Sequence, residues 1–307
     1  MKDNTIKKLY ISAFDIVDKN LKDLIIINTK CLVDENKQRY VYIDNNRLKD
    51  ELIYYRFYGE KPKYNNILSI LIPVVLSNTN IQKSEDEVVA LIQKYIKYLK
   101  KEEYIFEYIL ASVLYNLIIH KLLENKNIEY TQLLQIMKER IIEFSIELDK
   151  INTIKFQMAR IKIIQEIDKY MELKIEEYND NKIVNSLLNI LYDVYIEDRE
   201  VPNDGIESIK KSILSILGNE KNSHIDNIDF ILSMSEYIYK LRTYKINKKM
   251  YDKNVDPRNL ISLNEGDTVV DPILNQITVV SKDFSENILK LGIKSKSGIY
   301  SLKFKKY

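Results

Sequence analysis

The sequence predicts a mainly α-helical protein: a multi-helix bundle domain with a short N-terminal β-hairpin and a small C-terminal antiparallel β module. Three observations carry this expectation. Glycine (6) and proline (5) are scarce in 307 residues, which leaves few natural breaks and favours long helices over many short strands. Apolar residues recur at three- and four-residue spacing from Asn66 to about Asn247. After Asp256-Pro257 the period changes to two, the mark of strands with one covered face. Hydrophobic residues at 45% and charged residues at 30% are the proportions of a globular chain. The expected division is a helical domain over 1–250, with the hairpin near 24–44, and a lysine-rich β module over 256–307.

Residues 2–20 read as a helix with Ile6, Leu9, Tyr10, Ala13, Phe14 and Val17 on one side. Leu24–Val33 and Arg39–Asp44 are short β-branched or aromatic runs around Asp34-Glu35-Asn36-Lys37, and predict the hairpin. A short helix follows from Arg47 to Phe57 and ends near Gly59. Its Tyr54, Tyr55 and Tyr58, beside Arg56, suit either a surface contact patch or core packing.

Ser84 followed by Glu87 has the spacing of a capping box, with Val88, Leu91, Ile92, Tyr95 and Leu99 as the apolar stripe behind it. Phe106–Leu123 is apolar on most sides and reads as the central helix of the bundle. It carries Glu107, Asn116, His120 and Lys121, whereas a bilayer wants about 20 largely uncharged residues. No membrane span is therefore expected, and the N-terminal residues lack an apolar signal core, so the expected location is cytoplasmic. Ile154, Met158, Ile161, Gln165, Asp168 and Met171 trace one face of a long helix, and Phe156, Ile163, Ile164 and Ile167 a second stripe. Val201-Pro202-Asn203-Asp204-Gly205 reads as a turn, and Ser223 as the cap of a helix beginning at His224. Thr268–Val270, Gln276–Val280, Ile288–Lys294 and Ile299–Lys305 read as the strands of a meander. In the last of these, Tyr300, Leu302 and Phe304 share one face and Ser301, Lys303 and Lys305 the other.

Charge is concentrated at the C-terminus. Six lysines and no carboxylate lie within Ile288–Tyr307; removing them from the net +2 leaves about −4 for the remainder. Lys290, Lys294, Lys303 and Lys305 are accordingly the candidate anion-binding residues. The aromatic residues alternate onto the opposite face, which removes the stacking platform of a single-strand binder. Nucleic acid is thus less favoured as a partner than another protein.

Catalytic signatures are sparse. Cys31 is the only cysteine, so neither an internal disulfide nor a cysteine metal cluster can form. The sequence contains no glycine-rich phosphate loop and no Gly-x-Ser-x-Gly elbow. His120 with Glu124, and Glu220 with His224, are each one helical turn apart. That spacing suits a shared metal or proton, a helix-surface ion pair, or a histidine satisfied in a core.

Several stretches of the helical domain resemble the ADP-ribosylglycohydrolases, an all-α family that holds two magnesium ions with aspartates. Ile6-Lys-Lys-Leu-Tyr-Ile-Ser-Ala-Phe-Asp15 has the apolar rhythm of the family's first helix but lacks its glycines. Asn65-Asn66-Ile-Leu-Ser-Ile-Leu-Ile-Pro73 is similar to a later family segment, and Tyr104–Leu123 to the helix after the Thr-His motif, where Leu99-Lys100 stands instead. Leu217-Gly218-Asn219 followed by Asp226-Asn227-Ile228-Asp229 is similar to the C-terminal metal motif. The family's Thr-Asp-Asp-Thr has no counterpart. The resemblance implies Asp226 and Asp229 as metal ligands, with Asp15 near the site. Two magnesium ions need several hard oxygen ligands in fixed geometry, and these residues are too few.

The expected function is a non-catalytic helical binding or regulatory protein, which the resemblance would make an inactive ADP-ribosylglycohydrolase-like domain, with no cofactor required. One alternative is a magnesium-dependent ADP-ribosyl hydrolase; a second is a nucleic-acid binder using the C-terminal lysine face.

Overall fold

The computed structural model of the chain describes residues 2–35, 37–60, 67–175, 183–197, 204–219, 225–246, 251, 255–285 and 287–305. In chain order the elements begin with α1 (Lys2–Ser12), α2 (Lys19–Cys31), β1 (Leu32–Glu35), β2 (Tyr40–Ile43) and α3 (Asn45–Tyr58). The bundle continues with α4 (Ile72–Ser77), α5 (Ile81–Leu99), α6 (Ile105–Glu124), α7 (Tyr130–Glu143) and α8 (Lys150–Met171). It ends with α9 (Ile183–Tyr195), α10 (Asp204–Leu217) and α11 (Ile228–Arg242). Then come β3 (Thr268–Asp271), β4 (Asn275–Ser285), β5 (Ile288–Ser295) and β6 (Gly298–Lys305). The fold is mainly α, with a two-stranded antiparallel sheet near the N-terminus and a four-stranded antiparallel sheet, order β3-β4-β5-β6, at the C-terminus.

Side-chain caps set several helix starts. Asp18 Oδ1 accepts the Asn20 and Leu21 amides at 2.9 and 3.2 Å, and Asp44 Oδ1 those of Asn46 and Arg47 at 3.0 and 3.1 Å. The expected 2–20 helix is two: α1 stops at Ser12, and Asp18, with extended backbone (φ −62°, ψ 102°), begins α2. The same helix α2 takes in most of Leu24–Val33, the expected strand. A short apolar run fits either period; here burial on nearly all sides selects the helix, and only Leu32–Glu35 remains for β1. The polar members of α2 are met inside the core. Asn28 Nδ2 donates to Ile70 O at 2.8 Å, Tyr95 Oη donates to Asn28 Oδ1 at 2.9 Å, and Tyr10 Oη and Thr29 Oγ1 are 2.8 Å apart.

The expected capping box is also displaced. Asn80 caps α5 by accepting the Lys83 amide at 3.0 Å, so Ser84 lies inside the helix and donates to Asn116 Oδ1 of α6 at 2.7 Å. Glu87 instead accepts the Ile43 amide at 3.1 Å and the Tyr40 hydroxyl, tying α5 to the hairpin. Asn78 completes that tie: its amide accepts from Val41 N at 3.0 Å and donates to Val41 O at 2.8 Å, imitating a neighbouring strand.

α6 packs against α5, α7, α8, α9 and α10, as a helix apolar on most sides must. Among the described residues, Glu102–Glu124 is the stretch long and apolar enough to cross a membrane, and 78% of its most apolar window is buried inside the fold. On α8 the two apolar stripes part company. Phe156, Ile163, Ile167 and Tyr170 are buried, whereas Ile154, Met158 and Ile161 are 57%, 55% and 54% exposed. The expected turn at 201–205 gives way at Asp204 and Gly205, which already belong to α10. Asn65, Asn66, residues 201–203, Glu220, Ser223 and His224 lie outside the described residues. Among the described residues α11 begins at Ile228.

The C-terminal sheet has its own core of Ile277, Val279, Leu291, Ile293, Leu302 and neighbours, closed by α3. Phe57 and Phe304 rings are 4.9 Å apart, Tyr58 and Tyr300 rings 4.7 Å, and Tyr54 is buried between the two bodies. These tyrosines are therefore the seat of the sheet, while Tyr55 joins the main core. Under the seat, Lys30 Nζ lies 2.6 Å from buried Glu51 and donates to Ile273 O at 2.9 Å.

Candidate functional site

Buried carboxylates are used to fasten the chain. Asp44 Oδ2 accepts the Tyr251 amide at 2.8 Å, Asp34 Oδ2 the Ile246 amide at 3.1 Å, and Asp271 Oδ1 the Ile273 and Leu274 amides at 2.8 and 2.7 Å.

The residues implied as metal ligands are spread apart in their bonding. Asp15 pairs with Lys211 at 2.8 Å. Asp226 precedes α11, is largely exposed, and lies 3.9 Å from Lys22 Nζ. Asp229 is exposed in the first turn of α11. Among the described residues no group of three or more His, Cys, Asp or Glu converges as a metal-ligand set. His120 and Glu124 do not form the ion pair their spacing suits: His120 is buried, and Glu124 pairs with Lys121 at 2.9 Å.

The candidate lysines fall on the solvent side of the C-terminal sheet. Register places Lys290 opposite Lys303 on β6 and opposite Asp283 on β4, with Ile288 opposite Lys305. All four lysines are exposed, while Tyr300, Leu302 and Phe304 turn inward. Like charges directly opposite one another repel, and Asp283 offsets that at Lys290.

Lys294 stands apart from the other three. It lines a cleft of about 510 Å³ bounded by the start of α2, the start of α11 and the β5–β6 turn. The cleft collects Lys19, Lys22, Lys294 and Lys296, against the carboxylates Asp23 and Asp226. Lys19 Nζ donates to Ile299 O at 2.8 Å and lies 5.8 Å from the Tyr300 ring centre, so one wall is fixed to the other. Asn227 adopts the left-handed conformation (φ 56°), and its Nδ2 donates to Ser297 O at 3.2 Å, joining α11 to the same turn. Burial raises the Asp23 carboxyl to about 6, against the pull of Lys19 and Lys30. Val17 and Ile299, 88% and 59% exposed, supply an apolar lip.

The arrangement suits an anionic ligand with some apolar surface. Lys296 belongs to the C-terminal lysine run, whereas no local pattern separates Lys19, Lys22 and Asp23 from the many other charged residues. Comparison with protein-family models, with curated proteins and with solved structures gives no match.

Proposed function

We propose that the chain is a non-catalytic helical binding or regulatory protein whose ligand is an acidic, partly apolar segment of another protein. The observation that carries this reading is the convergence of Lys19 and Lys22 of α2 with Lys294 of β5 and Lys296 of the β5–β6 turn in one cleft, beside exposed Val17 and Ile299. Four cations against two carboxylates in a recess favour an anion, and the apolar lip favours one with hydrophobic side chains.

The test is fluorescence anisotropy with a labelled peptide of alternating glutamate and leucine. Binding that weakens with salt, and by about tenfold in Lys294→Glu/Lys296→Glu, is expected. Absence of binding, or binding indifferent to that reversal, overturns the proposal.

The resemblance to ADP-ribosylglycohydrolases supports at most an inactive relative in this reading. A magnesium-dependent hydrolase would draw on Asp15, Asp226 and Asp229, and Asp15 and Asp226 have lysine neighbours. Release of ADP-ribose from a modified substrate with magnesium, abolished by Asp226→Ala, would replace the binding reading. A nucleic-acid role would draw on Lys290, Lys294, Lys303 and Lys305, whose sheet face offers no stacked aromatic residue among those described.

A further inference from the structure

A second recess, of about 570 Å³, opens where the ends of α6 and α11 meet α1 and the loop after α4. Ile6, Leu122 and Ile216 give it an apolar wall; His120, Lys126 and Arg242 give it a basic one. Two of these groups have unused hydrogen-bonding capacity. His120 is 4% exposed, yet its Nε2 has no hydrogen-bond partner. A buried polar atom left unmet is destabilising, so native folds keep few of them.

Arg242 is the second group. Its Nη1 donates to Leu76 O at 2.8 Å and Asn78 O at 2.6 Å, which fixes the guanidinium at the recess. Among the described residues no carboxylate pairs with it. Glu124, on the rim, is held by Lys121. Burial lowers the pKa of both Arg242 and His120, and the guanidinium adds to the effect on the imidazole. A desolvated cation beside an unmatched imidazole nitrogen is an electrostatic deficit that an incoming anion removes.

We propose that this recess binds a small organic oxyanion on an apolar body, received by Arg242, by the Nε2–H of His120 and by Lys126. A neutral imidazole in that tautomer donates one hydrogen bond, the guanidinium contributes charge and fork geometry, and the apolar wall takes the body of the ligand. The site is independent of the cleft between α2 and the sheet.

The full chain has only two histidines, so imidazole NMR reads the site directly, with His224→Gln identifying the His120 signals. The probes are inorganic phosphate and hexanoate. A saturable shift of the His120 signals with either probe, at a Kd of about 1 mM or tighter, is expected. Arg242→Gln and Lys126→Glu should each weaken it about tenfold. Lys126 is exposed, so its variant keeps the test valid if Arg242→Gln fails to fold. Response to phosphate alone or to hexanoate alone supports the site and identifies the head group. No saturable shift up to about 10 mM of either probe, or an unchanged Kd in Lys126→Glu, overturns the proposal.

Discussion

Tyr54 Oη of α3 donates to Asp271 Oδ2 of β3 at 2.8 Å, and both residues are buried. This hydrogen bond crosses from the helical body to the C-terminal sheet. Asp271 is also the acceptor that shapes the β3–β4 turn through the Ile273 and Leu274 amides. One carboxylate thus sets the turn and holds it on α3.

Tyr54→Phe removes only the hydroxyl and leaves one buried carboxylate oxygen unmet. The expected loss is about 1–3 kcal/mol of unfolding free energy, measured by urea denaturation. Asp271→Ala should cost more, because it also releases the two turn amides. Equal losses in the two variants would contradict this division of roles.

Glu85 of α5 is buried and receives Arg140 of α7, whose Nε lies 2.8 Å from Glu85 Oε2. Arg140→Ala should destabilise by about 3–5 kcal/mol, since it strands a buried charge. Arg140→Ala/Glu85→Gln should recover part of that loss. A double variant no more stable than the single one would show that the charge is not the cause.

Two buried groups oppose each other in acid. The Asp23 carboxyl is raised to about 6, so its folded-state penalty is present above that pH and is relieved as pH falls toward 3.8. His120 is lowered to about 4, so the unfolded chain takes up a proton that the folded form refuses, and stability falls as pH drops from about 6.5 to 4. Asp23→Asn should therefore gain about 2–3 kcal/mol at pH 7 and reveal an acid-side decline. That decline should vanish when His120→Gln is added. The readout is urea unfolding at pH 7, 5.5 and 4.5.

Gly292 on β5 faces the bulge between Val279 and Ser281 on β4. A Cβ there would collide with Ser281 Oγ and stand 3.2 Å from Val280 Cγ2. Gly292→Ala should cost about 1–3 kcal/mol in thermal unfolding, and Ser281→Ala in the same chain should restore part of it. A neutral Gly292→Ala would mean the bulge opens freely.

Which elements could be read in advance follows from the range of the forces that set them. The alternation of Tyr300, Leu302 and Phe304 with Ser301, Lys303 and Lys305 is a local pattern, and the structure follows it residue by residue. The apolar run in α2 is equally compatible with both periods, and its helical form is decided by the Asp18 cap and burial on nearly all sides. On α8 both stripes are apolar, so neighbouring helices decide that Phe156, Ile163 and Ile167 enter the core while Ile154, Met158 and Ile161 remain outside. Lys294 belongs to the C-terminal charge run, but Lys19 and Lys22, which share its cleft, come from the opposite end of the chain.

By itself the sequence determined the mainly helical class, the change to strands near the C-terminus and the separation of lysine and apolar faces there. Each depends on hydrophobic period and local charge, which act over a few neighbouring residues. Only the tertiary structure decided that α3 seats the sheet through Tyr54, Phe57 and Tyr58, that lysines from α2 and β5 share a cleft, and that His120 meets Arg242 at a recess. Those placements depend on which surfaces exclude water together, and that is a property of the packed chain.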